Sequence, residues 1–304
     1  MRPFYLALPD DGLRRRRREH AERWMAPQVL DRPRAATKLV VSLDGEADNQ
    51  WERGVSLTTR NVQSWEPFQE LCERHGVVPT YLLASEFVAD DHARDLLAGG
   101  QSRGVAEIGA HLHPWTTPPF ADAPGLRFND RLHAFPSELA EDLLREKVAT
   151  LTGQIRDSFG FLPTAFRAGR FGVDGRLAKC LADAGFAVDS SVTPSVSWSR
   201  RPGTSDAGHD FSRFPVTPFR IAGTGEPGLL GIPVTILQTY RIFDRFPGLL
   251  RAHRLAPVRA VRRAIGHRHL QAQLCGFACI RTTARRISRS CGGGRRRRAL
   301  RWRS

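Results

Sequence analysis

Hydrophobic residues between positions 38 and 240 follow two alternating patterns. Short, continuous apolar runs predict buried strands, and longer segments with apolar residues at helical spacing predict amphipathic helices. The predicted strands are 38–43, 77–84, 105–110, 162–166, 186–188, 214–221 and 229–238, and the predicted helices are 61–75, 85–97, 137–159 and 174–184. Because strands and helices alternate, the sequence predicts an α/β fold with a parallel sheet.

Polar side chains collect where four of these predicted strands end. In parallel sheets the carboxyl ends of the strands lie at one edge, where such folds bind their ligands. The clusters, in chain order, are Asp44/Glu46/Asp48, His111/His113, Arg167/Arg170 and Asp189.

The histidine cluster follows the apolar run 105–110 in the segment EIGAHLHPW. Alternate side chains of a strand point the same way, so His111 and His113 are expected on one side. Neutral imidazole is the commonest protein metal ligand. The pair therefore predicts half of a metal site, whose acidic partner must come from elsewhere in the chain.

Charge separates the end of the chain from its main part. The net charge is +15, but residues 251–304 hold 16 of the 46 basic residues and none of the 31 acidic ones. Residues 1–250 thus carry 30 basic and 31 acidic residues and are nearly neutral. Nucleic-acid binding, if it occurs, is predicted for an Arg-rich, disordered tail. The predicted division is a polar basic lead-in (1–37), a domain that holds the four polar clusters (38–250) and this tail (251–304).

Other sequence signals bear on location. No apolar run approaches the roughly 18–20 residues that span a bilayer, and the N-terminus lacks the features of a secretory signal. We expect a cytoplasmic protein. Five cysteines in 304 residues do not indicate a disulfide framework.

Taken in order, the acidic cluster, EIGAHLHPW, FRAGRFG and VDSSVTP resemble the polysaccharide deacetylase family, also called the NodB-homology or carbohydrate esterase family 4 fold. The resemblance covers about residues 38–240. It implies a distorted (β/α) barrel with one divalent metal, Zn²⁺ or a similar ion, at the strand ends. It also implies hydrolysis of the acetamide of an N-acetylated carbohydrate.

The resemblance also suggests roles for individual residues. Asp44 matches the catalytic base, Arg167 matches the arginine that holds it, and Asp189 is a candidate supporting residue. The family usually has two adjacent aspartates, whereas this chain has Gly45 in the second place, so the carboxylate ligand is either Glu46 or Asp48. The family histidines usually lie four residues apart. Trp115 occupies that position here, which leaves only the compact pair His111 and His113.

The family usually ends with a strand whose histidine protonates the leaving amine, and no such motif follows Gln238. Since acids disappear after Asp244, we hypothesise that the last 50 or so residues are an out-of-frame translation, which resequencing the DNA would test. Two alternatives to a deacetylase stay open: a carbohydrate-binding protein with impaired catalysis, and nonspecific nucleic-acid binding by the tail.

Overall fold

The computed structural model describes residues 25, 27–29, 38–50, 56–120, 134–198, 208–237, 273–274 and 277–280. Its strands are β1 (Pro27–Val29), β2 (Lys38–Gly45), β3 (Thr80–Leu83), β4 (Glu107–Leu112), β5 (Ala165–Ala168), β6 (Val188–Asp189), β7 (Phe219–Ile221), β8 (Leu230–Gly231), β9 (Ile236–Leu237), β10 (Gln273–Leu274) and β11 (Phe277–Ile280). Its α-helices are α1 (Trp65–Arg74), α2 (Ser85–Val88), α3 (Asp91–Ser102), α4 (Glu141–Phe159) and α5 (Gly175–Asp183). Single 3₁₀ turns cover Arg60–Ser64, Pro136–Glu138 and Gly169–Phe171.

Nine strands form one sheet in the order β1, β7, β8, β6, β5, β4, β3, β2, β11. Pairing is parallel from β2 through β3, β4, β5 and β6 to β8, and antiparallel towards both edges. Each parallel strand is added on the same side of its predecessor, which is the winding of a (β/α) barrel and not of a doubly wound sheet. The predicted α/β fold is confirmed. Within the described residues, β1 and β11 do not pair with each other, so these strands do not close a barrel.

The main hydrophobic core lies between the sheet and its helices. Tyr81, Leu83, Ile108 and Leu112 of the sheet are buried together with apolar residues of the helices, which include Leu97, Leu144, Leu151 and Leu177. The apolar spacing that predicted the helices thus corresponds to their core-facing sides. None of the helices in the described ranges is long and apolar enough to cross a membrane.

Several element boundaries differ from the predicted ones. The predicted helix 85–97 is two helices, because Asp90 has an extended backbone (φ −80°, ψ 120°) and its side chain caps α3 by accepting from the Ala93 amide. Helix α4 begins at Glu141 and not at Ser137, and it ends where predicted, at Phe159, followed by Gly160 with φ 80°. Strand β2 continues to Gly45, two residues beyond the predicted end.

The predicted lead-in and tail fall largely outside the described residues. Within 251–304, for which the sequence predicts disorder, two segments form strands: β10 pairs with β9, and β11 pairs with β2. The antiparallel register of the second pair places Ile280 beside Lys38 and Phe277 beside Val41.

Candidate metal centre

The acidic side of the site comes from the end of β2. Side chains two residues apart in a strand share a face, so Ser42 and Asp44 of β2 are presented to the same side, and Glu46 directly follows the end of the strand. A β-carbon at Gly45 would lie 2.7 Å from the Trp65 ring and 3.0 Å from a Leu83 methyl. A side chain at position 45 would therefore displace the Trp65 ring of helix α1 or the Leu83 side chain.

The histidine side comes from β4. Its register with β5 places His111 beside Arg167, and the Nδ1 atom of His111 lies 2.9 Å from the Arg167 carbonyl oxygen. A carbonyl only accepts, so Nδ1 carries the proton and Nε2 is left with its lone pair directed at the site. His111 and His113 are both almost fully buried, at 2% and 1% exposure.

Three potential ligand atoms converge at this edge of the sheet. The Glu46 carboxylate oxygen Oε2 lies 3.2 Å from His111 Nε2 and 2.7 Å from His113 Nε2, and the two Nε2 atoms are 3.0 Å apart. In a tetrahedral zinc site, bonds near 2.1 Å would separate the ligand atoms by about 3.4 Å. The three side chains, which form the group within 4.8 Å that could hold a metal ion, therefore suit such an ion after small movements.

Protonation of the three groups is strongly coupled. Burial alone would raise the pKa of Glu46, but its hydrogen bonds with His111 and His113 outweigh burial and hold that pKa well below its usual range. Burial opposes charge on both histidines. For His111 the carboxylates of Asp44 and Glu46 prevail and raise the pKa, whereas for His113 burial prevails and lowers it. One carboxylate, with a charge of −1, and two imidazoles form the ligand set of His₂Glu zinc sites.

Asp44 and Arg167 form an ion pair beside the three ligands. The Nη1 atom of Arg167 lies 2.5 Å from Asp44 Oδ1, and the arginine side chain is 4% exposed. The remaining guanidinium groups donate to the Ser42 hydroxyl at 2.7 Å and to the Ser190 carbonyl at 2.8 Å. Since each of its three guanidinium nitrogens donates a hydrogen bond, Arg167 fixes the position of the Asp44 carboxylate.

Asp189 is fully buried and is not a member of the group formed by Glu46, His111 and His113. Its neighbours in the strand register are Phe166 and Gly231. The carboxylate accepts from the hydroxyl and the amide of Ser191, and the Ser191 hydroxyl oxygen in turn accepts from the Ala168 amide at 2.8 Å. Burial raises the pKa of Asp189 to about 6. Asp189 thus braces the turn after β5 through Ser191.

Asp48, the competing carboxylate ligand, belongs to a different group of contacts. Its Oδ1 atom accepts from the Thr58 hydroxyl and from the Arg60 amide, both at 3.0 Å. The residue is exposed and is not a member of the group formed by Glu46, His111 and His113. The Glu46 carboxylate, and not that of Asp48, is therefore the one that lies beside the two histidines.

The turn after β5 packs directly against the histidines. A β-carbon at Gly169 would lie 2.4 Å from His113 Nδ1 and 2.6 Å from the Leu112 carbonyl oxygen. The next two residues, Arg170 and Phe171, have φ values of 54° and 58°, which cost roughly 1–3 kcal/mol each for residues other than glycine. Such strain concentrates at functional sites. The Phe171 ring stacks on Trp198 at 5.4 Å, and the Arg170 guanidinium lies 4.9 Å from the centre of the Phe135 ring.

Sequence reasoning missed several residues of this site. Ser42, Ser190 and Ser191 supply hydroxyl or carbonyl groups to Arg167 and Asp189, yet single serines carry no pattern that distinguishes them. Gly169 carried a weak signal, since a glycine inside FRAGRFG suggests a close approach of the backbone to a neighbour.

Comparisons with known proteins return structures only. No family model and no curated protein matches the sequence. A polysaccharide deacetylase structure from Mycobacterium smegmatis is 16% identical with a TM-score of 0.41, and the match covers 64% of this chain and 58% of that one. IcaB from Ammonifex degensii is 13% identical with a TM-score of 0.33, and the match covers 51% of this chain and 59% of that one. A family 4 acetyl xylan esterase from Clostridium thermocellum, in complex with a cobalt ion, is 16% identical with a TM-score of 0.30. The match covers 52% of this chain and 60% of that one.

The chain thus spans a little under 60% of the length of the first of these structures. The first of these structures is named as a polysaccharide deacetylase and the third as a family 4 acetyl xylan esterase. The winding of the sheet and the convergence of Glu46, His111 and His113 at its carboxyl edge are properties of this chain itself.

Proposed function

We propose that this chain is a metal-dependent hydrolase that removes acetyl groups from N-acetylated sugars, with Zn²⁺ as the metal. The observation that carries the proposal is the Glu46, His111 and His113 group next to a carboxylate, Asp44, that a buried arginine holds in place. Three ligands leave a zinc ion an open position, as catalytic sites require.

The residues divide the work between metal binding and proton transfer. When bound, a divalent ion supplies Lewis-acid chemistry, since it lowers the pKa of water and polarises a carbonyl. Glu46, His111 and His113 would hold the ion. Asp44 would take the proton from the attacking water as a general base, and Arg167 would keep the Asp44 carboxylate aimed at it.

The strained turn after β5 would contact the reacting amide. Its backbone amides are candidates for stabilising the oxyanion that forms when water adds to the carbonyl. The Ala168 amide donates to Ser191, so the candidates are the amides of Gly169–Phe171. The stacked rings of Phe171 and Trp198 would provide an aromatic wall of the kind that lines ligand sites.

A second candidate is a carbohydrate-binding protein with weak catalysis. Among the residues that the structure describes, no third histidine joins the Glu46, His111 and His113 group, and His209 is hydrogen-bonded to Ser137 at 2.8 Å. A proton donor for the leaving amine is therefore not evident in the described ranges. Binding of an N-acetylated oligosaccharide without release of acetate would favour this candidate.

Acetate release from an N-acetylated oligosaccharide tests the proposal. Activity should disappear with a chelator and return with Zn²⁺ or Co²⁺. Asp44→Ala should lower the rate by about 10²–10⁴-fold, the typical contribution of general-base catalysis, and His111→Ala should weaken metal binding. Asp48→Ala is the matched control because Asp48 is an exposed acid of the same loop, and its rate should stay within about threefold of the wild type. Unchanged acetate release by both Asp44→Ala and His111→Ala would refute the proposal.

A further inference from the structure

Helix α4 has a lysine in its buried face. Lys147 is 1% exposed and lies among the buried residues Leu144, Val148 and Leu151. Removing an ammonium group from water is costly unless other groups compensate. An apolar residue would pack in this face without that cost, so the ammonium group needs an explanation beyond packing.

Three backbone carbonyl oxygens surround the ammonium group. Lys147 Nζ donates to the carbonyls of Pro114 at 3.0 Å, Thr117 at 2.5 Å and Pro119 at 2.7 Å. These bonds use all three donors of a lysine. The Phe120 ring centre lies 5.2 Å from Nζ. Burial lowers the pKa of Lys147 to about 8, and at neutral pH the group still carries its proton.

The three carbonyls belong to the segment that follows the second metal ligand. Strand β4 ends at Leu112, so His113 is the first residue beyond the sheet. Its carbonyl accepts from the amides of Thr116 and Thr117, at 3.4 and 3.1 Å, which forms a turn. Lys147 binds carbonyls along this segment, from Pro114 directly after His113 to Pro119.

The two histidines are therefore held in different ways. His111 lies within β4 and its Nδ1 atom is bonded to the Arg167 carbonyl. His113 depends on the turn: its ring packs 4.4 Å from the Trp115 ring and abuts Gly169 on another side. A displacement of the Pro114 carbonyl, one peptide away, would move the His113 ring directly.

We propose that Lys147 is a positioning residue for the His113 ligand, because its ammonium group holds the turn 113–120 and thereby sets the place of the imidazole in the metal centre. This role rests on the proposed function, because it takes Glu46, His111 and His113 as the metal ligands. Lys147 acts through the Pro114, Thr117 and Pro119 carbonyls and has no contact with substrate.

The test uses the space between the carbonyls of Pro114, Thr117 and Pro119, which the ammonium group of Lys147 occupies. Lys147→Ala leaves room for a small cation, whereas Lys147→Met fills the space without a donor. Supporting groups of metal ligands typically change affinity by about 10–100-fold, so both variants should bind Zn²⁺ or Co²⁺ more weakly by that factor. Ammonium chloride should restore Lys147→Ala to within about threefold of the wild type in the same buffer. Tetramethylammonium chloride, which has no N–H donor, should not restore it, and Lys147→Met should respond to neither salt.

A second readout is independent of metal. In the metal-free protein, the imidazole resonances of His113 should shift in Lys147→Ala and return with ammonium, while those of His111 stay closer to the wild type. Lys179→Ala is the matched control, because Lys179 is a lysine on the next helix, α5, whose bonds to Asp183 lie at the surface. It should change neither the metal affinity nor the His113 resonances.

The outcomes separate the two proposals. Lys147→Met with wild-type metal affinity and unchanged His113 resonances would overturn the positioning role. So would Lys147→Ala whose affinity stays low in ammonium, a measurement that remains decisive even if Lys147→Met fails to fold. A wild-type protein that binds neither Zn²⁺ nor Co²⁺ would refute the proposed function, while the resonances of the metal-free protein would still decide the role of Lys147.

Discussion

Gly169→Ala should disrupt the metal centre by adding one methyl group. The added carbon would lie 2.4 Å from His113 Nδ1 and 2.6 Å from the Leu112 carbonyl oxygen. Leu112 cannot move away easily, since it pairs with Ala168 in the parallel ladder of β4 and β5. The imidazole of His113 must therefore give way.

The size of the effect follows from these distances. An ordinary contact of about 3.4 Å requires the ring to move by about 1 Å, whereas metal sites hold their ligand distances within about 0.2 Å. The movement is about five times that tolerance, so His113 should be lost as an effective ligand. We expect metal affinity to fall at least about tenfold, and overpacking to lower the free energy of unfolding by about 1–3 kcal/mol.

Competition titration with Zn²⁺ or Co²⁺ measures the affinity, and chemical denaturation measures the stability. Gly153→Ala provides a matched control in the same chain. A β-carbon at Gly153, inside helix α4, meets only an Arg156 guanidinium nitrogen at 4.0 Å. Alanine is favoured there by roughly 0.5–1 kcal/mol because glycine loses more backbone entropy in a helix.

Metal affinity of Gly169→Ala within twofold of the wild type would refute this reasoning. It would mean either that His113 is not a ligand or that the turn after β5 yields more easily than its packing against Leu112 indicates. Asp48→Ala, tested beside it, distinguishes loss of a ligand from a general effect on the neighbouring loops.

Three further predictions concern stability, pH and the tail. Arg167→Met should lower the free energy of unfolding by about 3–5 kcal/mol, since it leaves a partly buried carboxylate without its partner. Arg103→Met, which removes an exposed ion pair with Glu73, should lower it much less, and equal losses of the two variants in chemical denaturation would contradict this. Burial raises the pKa of Asp189 to about 6, so the stabilising contribution of Asp189 is complete below about pH 4 and is lost as the pH rises through 6. Between pH 5 and 7.5 the free energy of unfolding of the wild type should therefore fall by about 1–2 kcal/mol more than that of Asp189→Asn. Parallel pH profiles of the two proteins would rule this out. Binding to RNA or DNA, measured over a range of salt concentrations, should be stronger and more salt-dependent for the full chain than for residues 1–250. Equal affinities would exclude a role of the tail in nucleic-acid binding.

Much of the fold could be predicted because the sequence pattern is local. The β-branched apolar runs and the helical spacing between them indicated the order of strands and helices, and that order indicated a parallel sheet. Boundaries were less predictable where one side chain decides them. Asp90 separates α2 from α3 by capping the start of α3. An aspartate can also lie within the first turn of a helix, so the residue type alone does not mark the boundary.

The sequence by itself determined that His111 and His113 leave one strand on the same side, since a two-residue period is a property of the backbone. It also indicated that acids and an arginine lie at strand ends, and the structure places Asp44 near the end of β2 and Arg167 near the end of β5. Only the tertiary structure showed which acid lies beside the histidines, because the loop residues Thr58 and Arg60 bind Asp48 and no local pattern specifies that contact.

Only the tertiary structure joined residues far apart in the chain. Arg167 meets Asp44 across 123 positions, and Lys147 reaches the carbonyls of residues about 30 positions earlier. Such contacts depend on strand register and on how α4 packs against the sheet, and these follow from the burial of many side chains at once. Local periodicity indicates which residues share a face of one element, whereas the packing of elements decides which faces meet.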